Sequence, residues 1–397
     1  MAEAVQVRQS GGGWKRLAGI AGALLLAACE TVVPRGRAPV DRPVTPPPTT
    51  TPAPIPALPQ DDERHRVALL VPMTGANARV GQSLANATTL ALLDTKSERV
   101  RITTYDTATG AAAAAQRAIA DGNRLILGPL LAEDVRAAAP IARRADVPVI
   151  SFSNDVSVAG EGVFVMGYTP AESIERVVAY ARSQGVSDFA GLMPGGLYGQ
   201  RASTSFLRAV EDQGGQVVSL QSYDARAASL SGAITRLAAG SPYQAVLIAD
   251  ASSTAARAAP MLRKGQSRTA RILGTELWNT DTGLAGNAAL NGAWFASVPN
   301  NLYRQYASKY RARFGSAPYR LSSLGYDSVL LTVRIARDWR VGSNFPAGRL
   351  TGQDGFSGID GPFRFGRDGV AERALEVQEV RGGSIVTVSP APRSFGN

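Results

Sequence analysis

From residue 66 onward the chain alternates short, continuous apolar runs with stretches of helical periodicity, and this alternation constrains its fold more than any other feature. The runs RVALLVPMTG, RITTYD, RLILGPL and VPVISFS are separated by a helical stretch over about 80–93, by QRAIADG and by a helical stretch through Ile141. A strand that is apolar on both faces has to be covered on both, which a parallel sheet between two helical layers achieves. The first part of the chain therefore reads as a doubly wound α/β unit.

A second run of the same kind follows. Residues 171–184 are helical, DFAGLMPGG is a strand and turn, YGQRASTSFLRAVEDQGG is a helix closed by glycine, and QVVSLQSY, YQAVLIADAS and ARILGTEL are further strands. After Asn300 come two helices, NLYRQYASKYRARFG and YDSVLLTVRIARDW, then FSGIDGPFRFGRDGVAERALEVQEVRGGSIVTV, which alternates like a hairpin. The roughly 330 residues past the N-terminal region are long for one domain and comfortable for two. Open α/β sheets bind ligands beyond the carboxyl ends of their strands, and two such units can turn those ends toward each other across a cleft.

Composition excludes much chemistry from that cleft. His65, the only histidine, lies at the edge of the linker, and Cys29, the only cysteine, lies before it, so no His or Cys metal site, Cys-His pair or Ser-His-Asp triad is expected there. The four lysines, Lys15, Lys96, Lys264 and Lys309, lack the Ser-x-x-Lys spacing of an acyl-enzyme, and no phosphate-binding glycine loop is present. Glu133 and Asp134 are neighbours on a helical stretch, which suits a solvated face better than a catalytic pair. No catalytic residue, metal or cofactor is expected. The formal charge is +10; eight basic and six acidic residues precede Val67, so +8 belongs to the chain from Val67 to its end. Those charges are mainly arginines, dispersed without the clustering and aromatic interleaving of a nucleic-acid groove, and no nucleic acid is expected as a partner. An acidic partner or an anionic envelope polymer remains compatible with the charge.

The N-terminus carries an export signal. Arg8, Lys15 and Arg16 precede an apolar segment over 17–28 that ends in the small pair Ala27-Ala28, and its dozen or so residues fall short of the ~20 a spanning helix needs. The LLLAACE stretch resembles the lipobox of bacterial lipoproteins. That resemblance implies cleavage after residue 28, three acyl chains on Cys29 and a permanent tether, since each buried methylene adds ~0.8 kcal/mol. Glu30 stands where an aspartate would favour inner-membrane retention, so the resemblance implies an outer-membrane anchor. From 31 to 60 the chain is crowded with proline and threonine and has no apolar period. It reads as an extended linker, reaching on the order of 100 Å at ~3.1 Å per residue. Expected divisions are a signal peptide at 1–28, the lipidated linker at 29–63, a first lobe at 64–168 plus 298–345, a second lobe at 169–297 plus 346–390, and a tail at 391–397.

The segments VALLVPMTGANARVGQSLANATTLAL, LGPLLAEDVRAAAPIARRADVPVISFS and YDSVLLTVRIARD resemble type I periplasmic binding proteins of the leucine, isoleucine and valine class, and the likeness runs from Arg66 to Val388. It implies a two-lobed α/β fold, each lobe a doubly wound, mainly parallel sheet, with three crossings between lobes. Within that class MGYTPAESIERVVAYARSQG, LMPGGLYGQRASTSFLRAV, ILGTELW with NGAWFASVP, and YRARFGSAPYRLSSLGYDSV are similar, in that order, to the lipid-anchored penicillin-binding protein activators. Those are outer-membrane lipoproteins that stimulate peptidoglycan synthases.

The resemblance also implies where a ligand would sit. An amino-acid binder of this class holds the ligand carboxylate on the loop after Gly128-Pro129 and on the next strand loop. Here those places hold Leu130-Leu131-Ala132 and Ser153-Asn154-Asp155. Leucines offer no side-chain donor, and Asp155 repels a carboxylate, at a cost of order 1 kcal/mol or more once water is excluded. Backbone amides at Ser151 or Ser153 stay open to some other ligand. Thr74 and Gly75, ending the first strand, serve a helix start as readily as a ligand contact. Tyr198 either lies at the mouth of the second lobe or packs over its turn; Glu276 and Trp278 end a strand and either face the cleft or pack within the lobe. Asp327 is expected to open a helix, where a carboxylate suits the positive end of the dipole. The expectation is a non-catalytic lipoprotein that engages a peptidoglycan synthase, with a small ligand or cell-wall fragment possible in its cleft. The alternative is a transporter's binding protein for amino acids or another small polar solute.

Overall fold

The computed structural model describes residues 63–224, 226–281 and 283–395. The expected signal peptide, Cys29 and the linker up to residue 62 lie outside the described residues.

The first sheet is wholly parallel. It comprises β1 (His65–Val71), β2 (Val100–Asp106), β3 (Ile126–Leu127), β4 (Val149–Ser151) and β5 (Val163–Val165), in the order β2-β1-β3-β4-β5. The continuous apolar run of β1 is explained by its two covered faces. Val67, Leu69 and Val71 enter one core, with α1 (Ala78–Thr95), while Ala68 and Leu70 enter another, with α2 (Ala111–Ala120) and α3 (Ala132–Arg144). The expected helix over 80–93 is α1, longer by two residues at each end.

The second sheet is built the same way. After α4 (Pro170–Ser183) come β6 (Asp188–Pro194), α5 (Leu197–Asp212), β7 (Gln216–Tyr223), α6 (Ala227–Ala238), β8 (Ala245–Ile248), α7 (Ser252–Leu262), β9 (Arg271–Gly274) and β10 (Trp294–Ser297). Ala190, Leu192, Val246 and Ile248 face one core; Phe189, Met193, Ala245 and Leu247 face the other. The chain then returns to the first lobe through α8 (Asn301–Phe314) and α9 (Ser322–Ala336), whose Tyr306, Tyr310, Leu324 and Val329 join the core beneath α1. Close approach of α9 to α1 requires Gly325, because a Cβ there would lie 2.9 Å from the Leu84 carbonyl oxygen.

The segment after α9 departs from the expected division at residue 346. It forms a small antiparallel sheet, β11 (Phe356–Gly358), β12 (Gly361–Phe365) and β13 (Ala371–Arg373), before β14 (Glu376–Arg381) and β15 (Ser384–Ser389) join the second sheet in the order β15-β14-β10-β9-β8-β6-β7. Leu350, Phe356, Ile359, Phe363, Phe365 and Ala371 are buried in the first lobe's core with α9 and β1. The third crossing therefore falls between β13 and β14. The alternation of 356–388 reads as one hairpin because alternation reports a half-buried strand and carries no information about which sheet buries it.

Phe363 tests this placement. Phe363→Ala removes a fully buried ring from the first lobe and is expected to cost ~3–5 kcal/mol in urea unfolding. A loss under about 1 kcal/mol would show that the segment is not part of that core.

Candidate functional site

The three crossings, between β5 and α4, between β10 and α8, and between β13 and β14, surround a buried polar cluster. Arg320, between α8 and α9, pairs with Asp360 in the β11–β12 turn (Nη2 to Oδ1, 2.7 Å), and both are buried. That contact has ion-pair distance but lacks hydrogen-bond alignment, and Arg320 Nη1 donates instead to Ser323 Oγ (2.9 Å) and the Tyr168 hydroxyl (3.3 Å). Tyr168, on the first crossing, donates to Asp360. Asp327 accepts from the amides of Ile359 (2.7 Å) and Asp360 (3.3 Å), so it does not open its helix. It lies in the second turn of α9 and caps the 358–360 turn. Arg373, ending β13, donates through Nη2 to the Met166 carbonyl, and its amide donates to Glu172 of α4 (2.6 Å).

Charge in this cluster is set by burial against pairing. Burial and the neighbouring Asp360 charge push Asp327 well above the carboxylate range. Burial would raise Asp360 too, but the Arg320 guanidinium outweighs it and holds Asp360 ionised. Burial pushes Glu172 up to about 7, against the charge of Arg373. None of Tyr168, Glu172, Arg320, Asp360 and Arg373 stands out in the sequence. The available signal is arginine within otherwise apolar, turn-rich stretches.

On the second-lobe side, Glu276 follows β9. Its Oε2 accepts from Ser173 (2.5 Å) and its Oε1 from Tyr198 (3.0 Å), whose hydroxyl also lies 3.1 Å from Thr275 Oγ1. Burial raises the Glu276 carboxyl above its usual range. Tyr168, Glu172, Ser173, Glu276, Arg320 and Arg373 border a space of about 20 Å³, room for one water molecule. Trp278 is not at the cleft. It is fully buried in the second lobe's core and donates Nε1 to the Asp250 carbonyl (2.9 Å), because the chain turns back into the lobe after Glu276.

On the first-lobe side the expected loop residues bond mainly to one another. Thr74 donates to Asp106 at the end of β2 (2.7 Å), and Gly75 takes a positive φ. Gly128 is required, since a Cβ would stand 2.1 Å from the Leu70 carbonyl oxygen. Leu130 packs against the core. The Pro129 carbonyl accepts from Ser151 Oγ (3.1 Å), Ser151 Oγ accepts from the Ser153 amide (3.0 Å), and Ser153 Oγ accepts from the Asp155 amide (3.1 Å). The Ser153 amide is therefore spent inside the loop.

Asp155 crosses the cleft. Its carboxylate takes Arg136 of α3 (2.7 Å) from its own lobe and Arg201 of α5 (2.5 Å) from the opposite one. Burial alone would raise its pKa, but bonds from Ser157 and Arg136 and the charge of Arg201 outweigh that and hold it at about 2. Beside this bridge, a cavity of about 290 Å³ runs between α5 and the 154–156 loop.

A family model described as periplasmic binding protein matches residues 65–384. Among solved structures, a putative branched-chain amino acid ABC transporter protein from Rhodospirillum rubrum is 22% identical, covers 82% of this chain and all of its own, and superposes with a TM-score of 0.71. LpoA from Haemophilus influenzae is 19% identical with a TM-score of 0.64, covering 83% of this chain and 60% of its own. A leucine binding protein from Thermotoga maritima is 21% identical with a TM-score of 0.60, covering 82% and 98%. An uncharacterized protein of Rickettsia prowazekii, RP748, is 27% identical over 146 residues, 36% of this chain and 39% of that one. Among the described residues no helix is long and apolar enough to cross a membrane.

Glu172 yields a pH prediction. Its folded pKa of about 7 lies above its reference value of 4.5. The native state therefore holds the proton more tightly, and this contribution to stability is complete below about pH 4.5 and lost as pH rises through 7. Glu172→Gln is expected to flatten the fall in thermal stability across that window. An unchanged pH profile of the melting temperature would refute the assignment.

Proposed function

Given that the chain belongs to the periplasmic binding protein family, we propose that it is a non-catalytic envelope lipoprotein that engages a peptidoglycan synthase and shifts it toward an active state. The observation that carries this reading is Asp155. A carboxylate of the protein stands in the loop where the family resemblance implies a solute carboxylate would be held, and Arg201 ties it to the opposite lobe. The Ser151 hydroxyl donates within the loop to Pro129, Leu130 offers no side-chain donor, and the enclosed space near Glu276 is smaller than an amino acid. The ordered motifs shared with the penicillin-binding protein activators supply the choice of partner. Activation requires the bilobed domain to bind one conformer of the synthase better than another, by a few kcal/mol.

In the same reading Cys29 is lipidated at the periplasmic face of the outer membrane, and the proline-rich linker carries the domain toward a synthase based in the inner membrane. Solute delivery to an ABC transporter is the second reading. One observation favours it: Glu276, flanked by the hydroxyls of Tyr198 and Ser173, forms an acidic recess of the kind that receives an ammonium group.

Titration calorimetry with leucine, isoleucine, valine and a wider amino-acid panel is expected to give no saturable micromolar heat. In-cell cross-linking of a tagged full-length chain is expected to recover a penicillin-binding synthase. Micromolar binding together with recovery of an ABC permease would replace the first reading with the second. Deleting residues 34–60 is expected to abolish activity in cells while activation in solution persists; unchanged growth of the shortened strain would count against a spanning linker.

A further inference from the structure

The cavity beside Asp155 has walls from both lobes. Leu197, Gln200, Arg201, Thr204 and Ser205 line one side, at the i, i+3, i+4, i+7, i+8 spacing of a single helix face. Asn154 and Val156 form the other side, and the start of α4 closes the floor. Leu197 is 56% exposed and Val156 41%, and both belong to the small set of large apolar side chains left in water among the described residues. Exposed apolar groups that converge on one groove mark an interaction surface. A cavity of about 150 Å³ takes a benzene-sized group, so about 290 Å³ accommodates one large side chain and part of its neighbour.

The electrostatics choose the neighbour. No acidic residue lines the groove. At its rim the single Asp155 carboxylate is shared by Arg136 and Arg201, whose side chains are 55% and 25% exposed, which leaves one positive charge without a counterion in that triad. A small polar solute would satisfy the cation but leave Leu197 and Val156 uncovered. A polypeptide that sets an apolar side chain beside a carboxylate satisfies both.

Building on the reading that the chain acts by engaging another protein, we propose that this groove is where the partner polypeptide docks, with an apolar residue against Leu197 and Val156 and an adjacent Asp or Glu beside the Arg136–Arg201 pair. Because Val156 belongs to one lobe and α5 to the other, docking there fastens the two lobes together.

The test uses in-cell cross-linking of the tagged full-length chain and compares Leu197→Glu and Thr204→Glu with the native protein and with Leu302→Glu, an exposed position on α8 outside the groove. All three sites are on the surface, and unchanged melting temperatures verify folding. Capture of the partner is expected to fall about tenfold or more in both groove variants and to persist in the α8 variant. Capture that survives both groove substitutions overturns the groove and leaves the partner reading standing. A native chain that captures no envelope protein sinks that reading and this proposal with it. Binding of a free amino acid that Leu197→Glu abolishes would make the groove a solute site, and a cross-linked homodimer lost in the same variant would make the occupant a second copy; either result overturns the polypeptide assignment.

Discussion

The buried pairing of Arg320 with Asp360, both in the first lobe, is the contact around which the crossings between the two lobes gather. An arginine and an aspartate removed from water repay their desolvation only if the remaining donors and acceptors find partners. Here that is met in part: Tyr168 donates to Asp360, Arg320 Nη1 donates to Ser323 and Tyr168, and Nη2 faces Asp360 Oδ1 at ion-pair distance, while Arg320 Nε is left without a hydrogen-bond partner. Those partners come from the first crossing, from α9 and from the turn between β11 and β12. Arg373 then extends the cluster to the third crossing and to Glu172 of the second lobe. Removing one member strands a buried charge, so the segments are held to each other as a unit.

The same polar logic recurs at the cleft mouth with a different consequence. Asp155 is ionised because bonds from Ser157 and Arg136 and the charge of Arg201 outweigh its burial, and Arg201 lies on the facing lobe. The two lobes thus share an interlobe bond of their own.

Much of this is legible in the chain. Apolar runs such as RVALLV announce strands covered on both faces, and their two-residue alternation between cores is what the structure displays. Leu130 reads as a residue without a side-chain donor and packs against the core, whereas the two arginines gathered on Asp155 are not foreseen. Trp278 reads as a cleft candidate and is not one, because the end of a strand predicts a position but not the direction in which the chain turns next. Asp327 reads as a helix start only because the loop it caps lies 32 residues away. The role of residues 356–373 is hidden because a strand's own pattern is the same whichever sheet it completes.

Sequence alone determined the fold class and the order of elements, since these follow from local periodicity. Only the tertiary structure decided that Arg320, Asp360 and Arg373 form one buried cluster, that Asp155 reaches Arg201 across the cleft, and that α5 and the 154–156 loop enclose a groove. Each of these joins residues dozens of positions apart, and the free energy of a buried charge depends on which groups surround it in space.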